Sequence, residues 1–140
     1  MKRNMTVNVV TPNGVVYDQK ARFVVAKTIN GELGILANHA PIIAPLIIDE
    51  VRITGTASDE QVNYIAVNGG VMEVRDNVVT IIADSAEKAR DIDISRAQRA
   101  KQRAQEKIAA AKKQSDIDAQ RRAEVALHRA LNRINVSKHR

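Results

Sequence analysis

The sequence changes its pattern near Ser85, and this change divides the chain into two parts that cannot share one type of secondary structure. Before it, short β-branched runs alternate with turn-forming Gly, Pro, Asn and Asp. After it, Ala, Arg, Lys and Gln dominate, and neither Gly nor Pro occurs beyond Gly70. The first pattern is typical of strands and the second of helices. We therefore predict a β-domain at residues 1–86 and a helical domain at residues 87–140.

The first part contains at least six segments with strand composition. They are Met5–Val10, Arg22–Ala26, Pro41–Ile48, Gln61–Val67, Val71–Val74 and Val78–Ala83. Turn signals separate them, and the pair Gly69-Gly70 is interpreted as a tight hairpin turn. Six or more short strands at this spacing favour an antiparallel sandwich or barrel.

The second part predicts two antiparallel helices. The first should run from about Asp93 to Lys112, and the second should begin near Ser115, with Ser115 and Asp118 as a capping box. Small apolar stripes recur at helical spacing on both. They are Ala97, Ala100, Ala104, Ile108 and Ala111 on the first, and Ala123, Leu127, Ala130, Leu131 and Ile134 on the second. Alanine buries little apolar area, so we expect a marginally stable hairpin that a ligand or partner can shift.

Charge is distributed unevenly between the two parts. Residues 1–87 hold 7 Lys/Arg and 10 Asp/Glu, whereas residues 88–140 hold 15 and 6. The basic second part could bind nucleic acid, but it carries no aromatic residue for base stacking and its cations are mixed with carboxylates. A solvated helix face and a surface for an acidic protein remain the two leading interpretations.

No motif of an enzyme or a metal site is present in the sequence. The chain has no cysteine and three histidines, none in a metal-ligand spacing. Neither a GxxxxGK[ST] phosphate loop nor GxGxxG occurs, and there is no nucleophile elbow. We therefore predict no catalytic site and no metal. His128 is expected to be solvated and His139 to lie in a disordered tail.

Four segments together resemble the epsilon subunits of bacterial F-type ATP synthases. They are Thr11–Tyr17 (TPNGVVY), Gly31–Pro41 (GELGILANHAP), Val67–Val74 (VNGGVMEV) and Ile92–Ala97 (IDISRA). Their order and spacing cover essentially the whole chain. The resemblance implies an N-terminal β-sandwich followed by a C-terminal α-helical hairpin. It also implies a non-catalytic rotor subunit that couples the rotor to the c-ring and inhibits ATP hydrolysis by a conformational change of its helices.

Some bacterial members of that family bind ATP in the folded-down hairpin, as a regulatory ligand rather than a required cofactor. The positions that match this site are Glu87, Ile92, Asp93, Arg96, Ala97, Arg103, Arg129 and Arg133. From the residues alone, Asp93 is also a candidate helix cap. Arg140 is expected to contribute nothing to ATP binding.

The resemblance also implies protein partners: the gamma subunit, the c-ring, and the alpha and beta subunits of the catalytic head. The positions that match the rotor and c-ring contact are Gly31, Glu32, Leu33, Asn38 and His39, which we expect on loops. The positions that match the contact with the catalytic head are Arg121, Arg122, Arg129 and Arg133. Without the resemblance, a solvated carboxylate at Glu32 and a turn residue at His39 would be the simpler interpretations.

The resemblance places the chain at the cytoplasmic face of a bacterial plasma membrane, held there only through the complex. The sequence shows no hydrophobic signal segment and no Arg/Ser-rich transit segment, which fits that expectation. The alternative function is a basic helical adaptor that binds nucleic acid or an acidic protein, with the sandwich as its scaffold.

Overall fold

The structure is a computed structural model that describes residues 2–140, and it consists of an eight-stranded sheet followed by two long helices. The strands are β1 (Met5–Thr11), β2 (Gly14–Ala21), β3 (Phe23–Thr28), β4 (Gly31–Leu36), β5 (Ile42–Thr54), β6 (Val62–Arg75), β7 (Val78–Ala83) and β8 (Ala86–Lys88). A 3₁₀ turn at Ala89–Asp91 leads to α1 (Ile94–Lys113) and α2 (Ile117–Ser137). The predicted sandwich-plus-hairpin fold is confirmed. The predicted division after residue 86 falls inside β8.

The sheet folds into two layers because β5 and β6 pass through both of them. The strand order is β2-β1-β7-β6-β5-β3-β4, with β8 paired to β6. Residues 62–67 of β6 lie beside β8 and the second half of β5, and residues 70–75 lie beside β7 and the first half of β5. The sequence predicted an antiparallel sandwich, and the structure differs at one place: β1 and β7 pair in parallel.

The pair Gly69-Gly70 is a corner inside β6, so its interpretation as a hairpin turn is wrong. Upstream of it Ile65 and Val67 face the core, and downstream of it Met72 and Val74 do so. The inward-facing positions therefore change from odd to even across the corner, which side-chain alternation in an undistorted strand would not allow. Both glycines have positive φ, +85° and +137°.

β2 and β4 were not predicted as strands. β4 carries Gly31, Glu32 and Leu33, so these residues lie on a strand rather than on the expected loop. β4 pairs only with β3 and forms one edge of the sheet. Gly34 and the exposed Leu36 weaken the apolar alternation by which a strand is predicted from sequence.

The sandwich has a hydrophobic core of its own. Val, Ile, Met, Leu and Ala side chains from all strands but β8 fill it, and the partly buried Ala86 of β8 packs against it. Tyr17 also lies in this core with its hydroxyl unpartnered, and burial raises the pKa of Tyr17 above its usual value. Because this core needs no helix residue, the sandwich is organised independently of the hairpin.

The hairpin packs through alanine, as the sequence predicts. Ala97, Ala104 and Ala111 of α1 are buried, and they face α2, where Ala123 and Ala130 are buried as well. The cap of α2 differs from the prediction: the Asp116 carboxylate, and not Ser115, accepts a hydrogen bond from the Ala119 N–H at 3.1 Å.

The C-terminal half of α2 packs on the sandwich. Val136 joins Ala66, Ala89 and Ile92 in a second, small apolar cluster. The buried Asn132 amide donates to the Val67 carbonyl oxygen at 3.2 Å. The hairpin is therefore folded down against the sandwich, with α1 as the outer helix.

Candidate functional site

A cleft opens where β8, the 3₁₀ turn, α1 and the end of α2 meet. Its volume is about 350 Å³, which is at the lower end of the range typical of small-molecule sites. It is lined by Glu87, Asp91, Asp93, Arg96, Ala97, Ala100, Arg103 and Arg133. Four separate elements thus contribute side chains to one concave surface.

Local geometry places Asp93 and Arg96 at the start of α1. Asp93 is the N-cap, and its carboxylate accepts a hydrogen bond from the Arg96 N–H at 3.0 Å. Arg96 and Arg103 are seven residues apart and therefore project from one face of the helix. Asp93 both caps the helix and lines the cleft, so its two predicted roles are compatible.

The arginines of the cleft differ in their ionic partners. The Arg133 Nε atom lies 2.8 Å from the Glu87 Oε1 atom, which links α2 to β8. Within residues 2–140, Arg96 and Arg103 form no salt bridge. Two guanidinium groups are therefore available to an anionic ligand, and arginine suits phosphate oxygens because of its planar set of donors.

The cleft brings together six of the eight residues predicted for ATP, but it does not include Ile92 or Arg129. Ile92 is buried, with 1% of its surface exposed to solvent. Arg129 lines another depression, beside Gly69 and Asp84. Asp91 and Ala100 belong to the cleft and were not predicted; Ala100 lies on the predicted apolar stripe, three residues after Ala97.

The residues predicted for the rotor contact lie at both ends of β4. Glu32, near its start, forms ion pairs with Lys27 at 3.9 Å and Arg52 at 3.2 Å. Asn38, in the turn after the strand, has φ +66°, and its N–H donates to the Asn77 Oδ1 atom at 2.8 Å. The strand from residue 32 to residue 36 alone spans about 13 Å at 3.3 Å per residue. A single side chain of a partner is therefore too short to contact both ends of β4.

An exposed apolar row crosses the outer face of the second layer, and sequence reasoning missed it. The strand registers align Pro45 with Val71, Val71 with Ile82, Ile82 with Val10, and Val10 with Val15. Val71 is 39% exposed, Ile82 58% and Val15 66%. The signal was present in adjacent apolar pairs such as Ile81-Ile82. A strand with one solvent-exposed face normally alternates apolar and polar residues, so such a pair places an apolar residue on the exposed face. A contiguous exposed apolar strip is a feature that protein interfaces often share.

Family models match both parts of this chain. Residues 4–89 match the model described as ATP synthase, Delta/Epsilon chain, beta-sandwich domain, and residues 90–138 match its long alpha-helix domain. The chain belongs to the ATP synthase delta/epsilon family. It is therefore a non-catalytic subunit of that enzyme, which agrees with the prediction that it is not an enzyme itself.

Solved structures show the same fold as this delta/epsilon chain. One match is a chain in the cryo-EM structure of Euglena gracilis mitochondrial ATP synthase (OSCP, F1 and c-ring), with 18% identity and a TM-score of 0.80 over 99% of this chain and 84% of that one. Another is in the central stalk and c-ring of Tetrahymena thermophila mitochondrial ATP synthase, with 22% identity and a TM-score of 0.54 over 64% of this chain and 70% of that one.

The arginines predicted to reach the catalytic head differ in exposure in this delta/epsilon chain. Arg121, Arg122 and Arg129 are exposed on α2, whereas Arg133 is held by Glu87. Among residues 2–140, no helix is long and apolar enough to cross a membrane. That part of the chain also contains no group of three or more His, Asp or Glu side chains arranged to hold a metal ion.

Proposed function

We propose that this delta/epsilon chain is a central-stalk subunit that couples the rotor to the c-ring, restrains ATP hydrolysis through its hairpin, and binds ATP in the cleft as a signal that favours the folded-down hairpin. One observation carries the regulatory part of this proposal: the cleft is built from β8, the 3₁₀ turn, α1 and α2 together. It exists only while the hairpin is folded down. A ligand that needs all four elements therefore binds this arrangement better than any other.

The charges of the cleft suit a nucleotide whose phosphates lie along α1. Arg96 and Arg103, which have no ionic partner within residues 2–140, donate to phosphate oxygens. Asp91 and Asp93 lie where hydroxyl and amino groups of a ribose or base can donate to them. Arg133 stays paired with Glu87 or turns towards the phosphates. Because the chain belongs to a family of non-catalytic subunits, we expect binding without turnover.

ATP shifts the hairpin only by the difference between its affinities for the two arrangements. Since the extended hairpin would separate Arg133 and Glu87 from Arg96 and Arg103, that difference includes every contact made across the cleft. Released from the sandwich, the exposed cations Arg121, Arg122 and Arg129 can meet an acidic surface of the catalytic head. ATP thus opposes inhibition by holding the helices down.

Calorimetric titration of the isolated chain with ATP tests this site. We expect Arg103→Ala to weaken ATP binding by about tenfold to a hundredfold, because one charge-assisted hydrogen-bonding group is worth roughly 1.5–3 kcal/mol. Arg99→Ala is the matched control, since Arg99 lies on α1, is exposed and does not line the cleft. Equal losses in both variants, or no heat of binding in the wild type at millimolar ATP, contradict the proposal.

We assign the apolar row to the gamma subunit and the end of the sandwich near Glu32 to the c-ring. An apolar strip provides affinity, and the charged Glu32 with its Lys27 and Arg52 partners provides polar contacts that fix orientation. A protein interface of standard size is wide enough to include both Glu32 and His39. Membrane association then comes through the complex.

Ile82→Asp tests the assignment of the apolar row. A charge at the centre of a buried apolar contact should reduce binding of the isolated gamma subunit by at least about a hundredfold. The control is Ile29→Asp, because Ile29 is 86% exposed in the turn between β3 and β4, away from the row. Binding is measured by co-sedimentation at defined concentrations. Unchanged binding by the Ile82 variant rules out the row as the gamma surface.

A further inference from the structure

The three residues after α2 do not form the disordered tail that the sequence predicts. The His139 ring stacks on the Tyr64 ring, with 3.7 Å between centroids and 7° between planes. The Arg140 guanidinium donates to three backbone carbonyl oxygens, those of Ala89 at 3.5 Å, Arg90 at 3.3 Å and Ile92 at 2.6 Å. Both side chains thus bind parts of the protein far away in sequence.

The carbonyls that Arg140 contacts belong to the linker between the sandwich and the hairpin. The linker is residues 89–93, comprising the 3₁₀ turn and the two residues before α1. It is the covalent connection about which the hairpin would have to move. The segment after α2 therefore contacts the same linker that attaches the hairpin to the sandwich.

Two arginines, one on α2 and one after its end, contact this connection. Arg133 pairs with Glu87 of β8, and Arg140, seven residues later, contacts the linker. Arg140 lies beyond the end of α2, two residues after its C-cap Lys138, and reaches the linker from there. Glu87 and the linker are consecutive parts of the chain, so the pair holds the path from the sheet to α1 at two successive points.

We propose that His139 and Arg140 form a latch that fixes the linker and holds the hairpin in its folded-down position. Arg140 fixes the backbone of the turn, and His139 anchors the end of α2 to Tyr64 on β6. Extension of the hairpin requires the release of both contacts. This inference rests on the proposed movement of the hairpin but not on nucleotide binding. The contact of Arg140 with the Ile92 carbonyl also steadies Asp91 and Asp93, the neighbours that line the cleft.

Hydrogen–deuterium exchange of the full chain without nucleotide tests the latch. In Arg140→Ala we expect amides of residues 89–97 and 130–137 to exchange about tenfold faster, since a side chain that donates to several carbonyls is lost. His139→Ala should affect residues 130–137 more than the linker. Exchange in β1 and β7 should stay at the wild-type rate in both, because the sandwich has its own core.

Lys138→Ala provides the matched control, because Lys138 has the same charge, is exposed, and its side chain makes no hydrogen bond or salt bridge within residues 2–140. The latch is refuted if Arg140→Ala exchanges like Lys138→Ala at the linker. It is also refuted if the loss of protection spreads equally over β1 and β7, since that would indicate general destabilisation. The ATP titration of Arg103→Ala is read separately, so a failure of the nucleotide site leaves this result interpretable.

Discussion

Gly70 shows how one residue shapes the sandwich. It lies just after the point at which β6 passes from one layer to the other, with φ +137°. A Cβ atom placed there would overlap the carbonyl oxygen of Ile82 on the neighbouring β7. Glycine is therefore required at this position for two reasons: the backbone conformation and the close approach of β7.

We expect Gly70→Ala to lower the free energy of unfolding of the sandwich by about 3 kcal/mol or more, because steric overlap adds to backbone strain. Gly14→Ala separates the two effects: Gly14 has φ +128°, and nothing lies within 4 Å of a Cβ placed there. Strain alone should lower its stability by about 1–2 kcal/mol. Urea unfolding gives both values, and equal losses would contradict the overlap argument.

At the residue scale, sequence reasoning succeeded where a role is local. The cap at Asp93 was foreseen because an N-cap bonds to a backbone N–H within its own helical turn. The partners of Arg133 and Arg140 were not foreseen. They depend on how α2 and the residues after it lie against a part of the chain that is dozens of residues earlier in the sequence. Resemblance to a family, and not spacing, assigned Glu87 and Arg133 to one site, but it did not pair them with each other.

The hairpin is the element on which the proposed regulation depends, and its two helices meet through small side chains. The side chains buried between α1 and α2 are alanines, such as Ala104 at 2% exposure and Ala130 at 0%. Small side chains allow close helix approach but bury little apolar area. The helices are therefore sensitive to any side chain that forces them apart.

Ala104→Leu should destabilise the hairpin by about 1–3 kcal/mol through overpacking. Ala109→Leu, on the exposed face of the same helix, should change stability by less than about 0.5 kcal/mol, since leucine and alanine have similar helix propensities. Helical circular dichroism during denaturation reports the loss. If the two variants unfold alike, the alanine seam is not a close-packed interface.

The helices were predictable, but several strands of the sheet and the boundaries of others were not. The helices follow from their periodicity and from the absence of Gly and Pro. β4 escaped prediction because an edge strand has a weak apolar pattern, and β6 was divided in two because a Gly-Gly pair has the same composition in a turn and in a corner. The pairing of β5 with β6 on both sides of Gly70 shows that the glycines form a corner and not a turn. Strand pairing depends on residues distant in sequence, so a local pattern does not predict it.

At the scale of the whole molecule, the chain combines an independently organised sandwich with a hairpin held to it by few contacts. The sandwich has its own core and carries the apolar row, which suits a permanent attachment to a stalk. The hairpin is held by one small apolar cluster, Asn132, the Arg133–Glu87 pair and the segment after α2. A structure with one firm and one weakly held part is suited to a subunit that stays bound while its helices move.

A distance measurement in the assembled enzyme tests the central claim that ATP favours the folded-down hairpin. Ser58→Cys and Gln114→Cys place spin labels on a sandwich loop and at the hairpin turn, in a chain that has no cysteine of its own. We predict that ATP raises the fraction of label pairs at the distance of the folded-down structure, and that Arg103→Ala removes this response. A distribution that saturating ATP leaves unchanged in the wild-type chain would contradict the account.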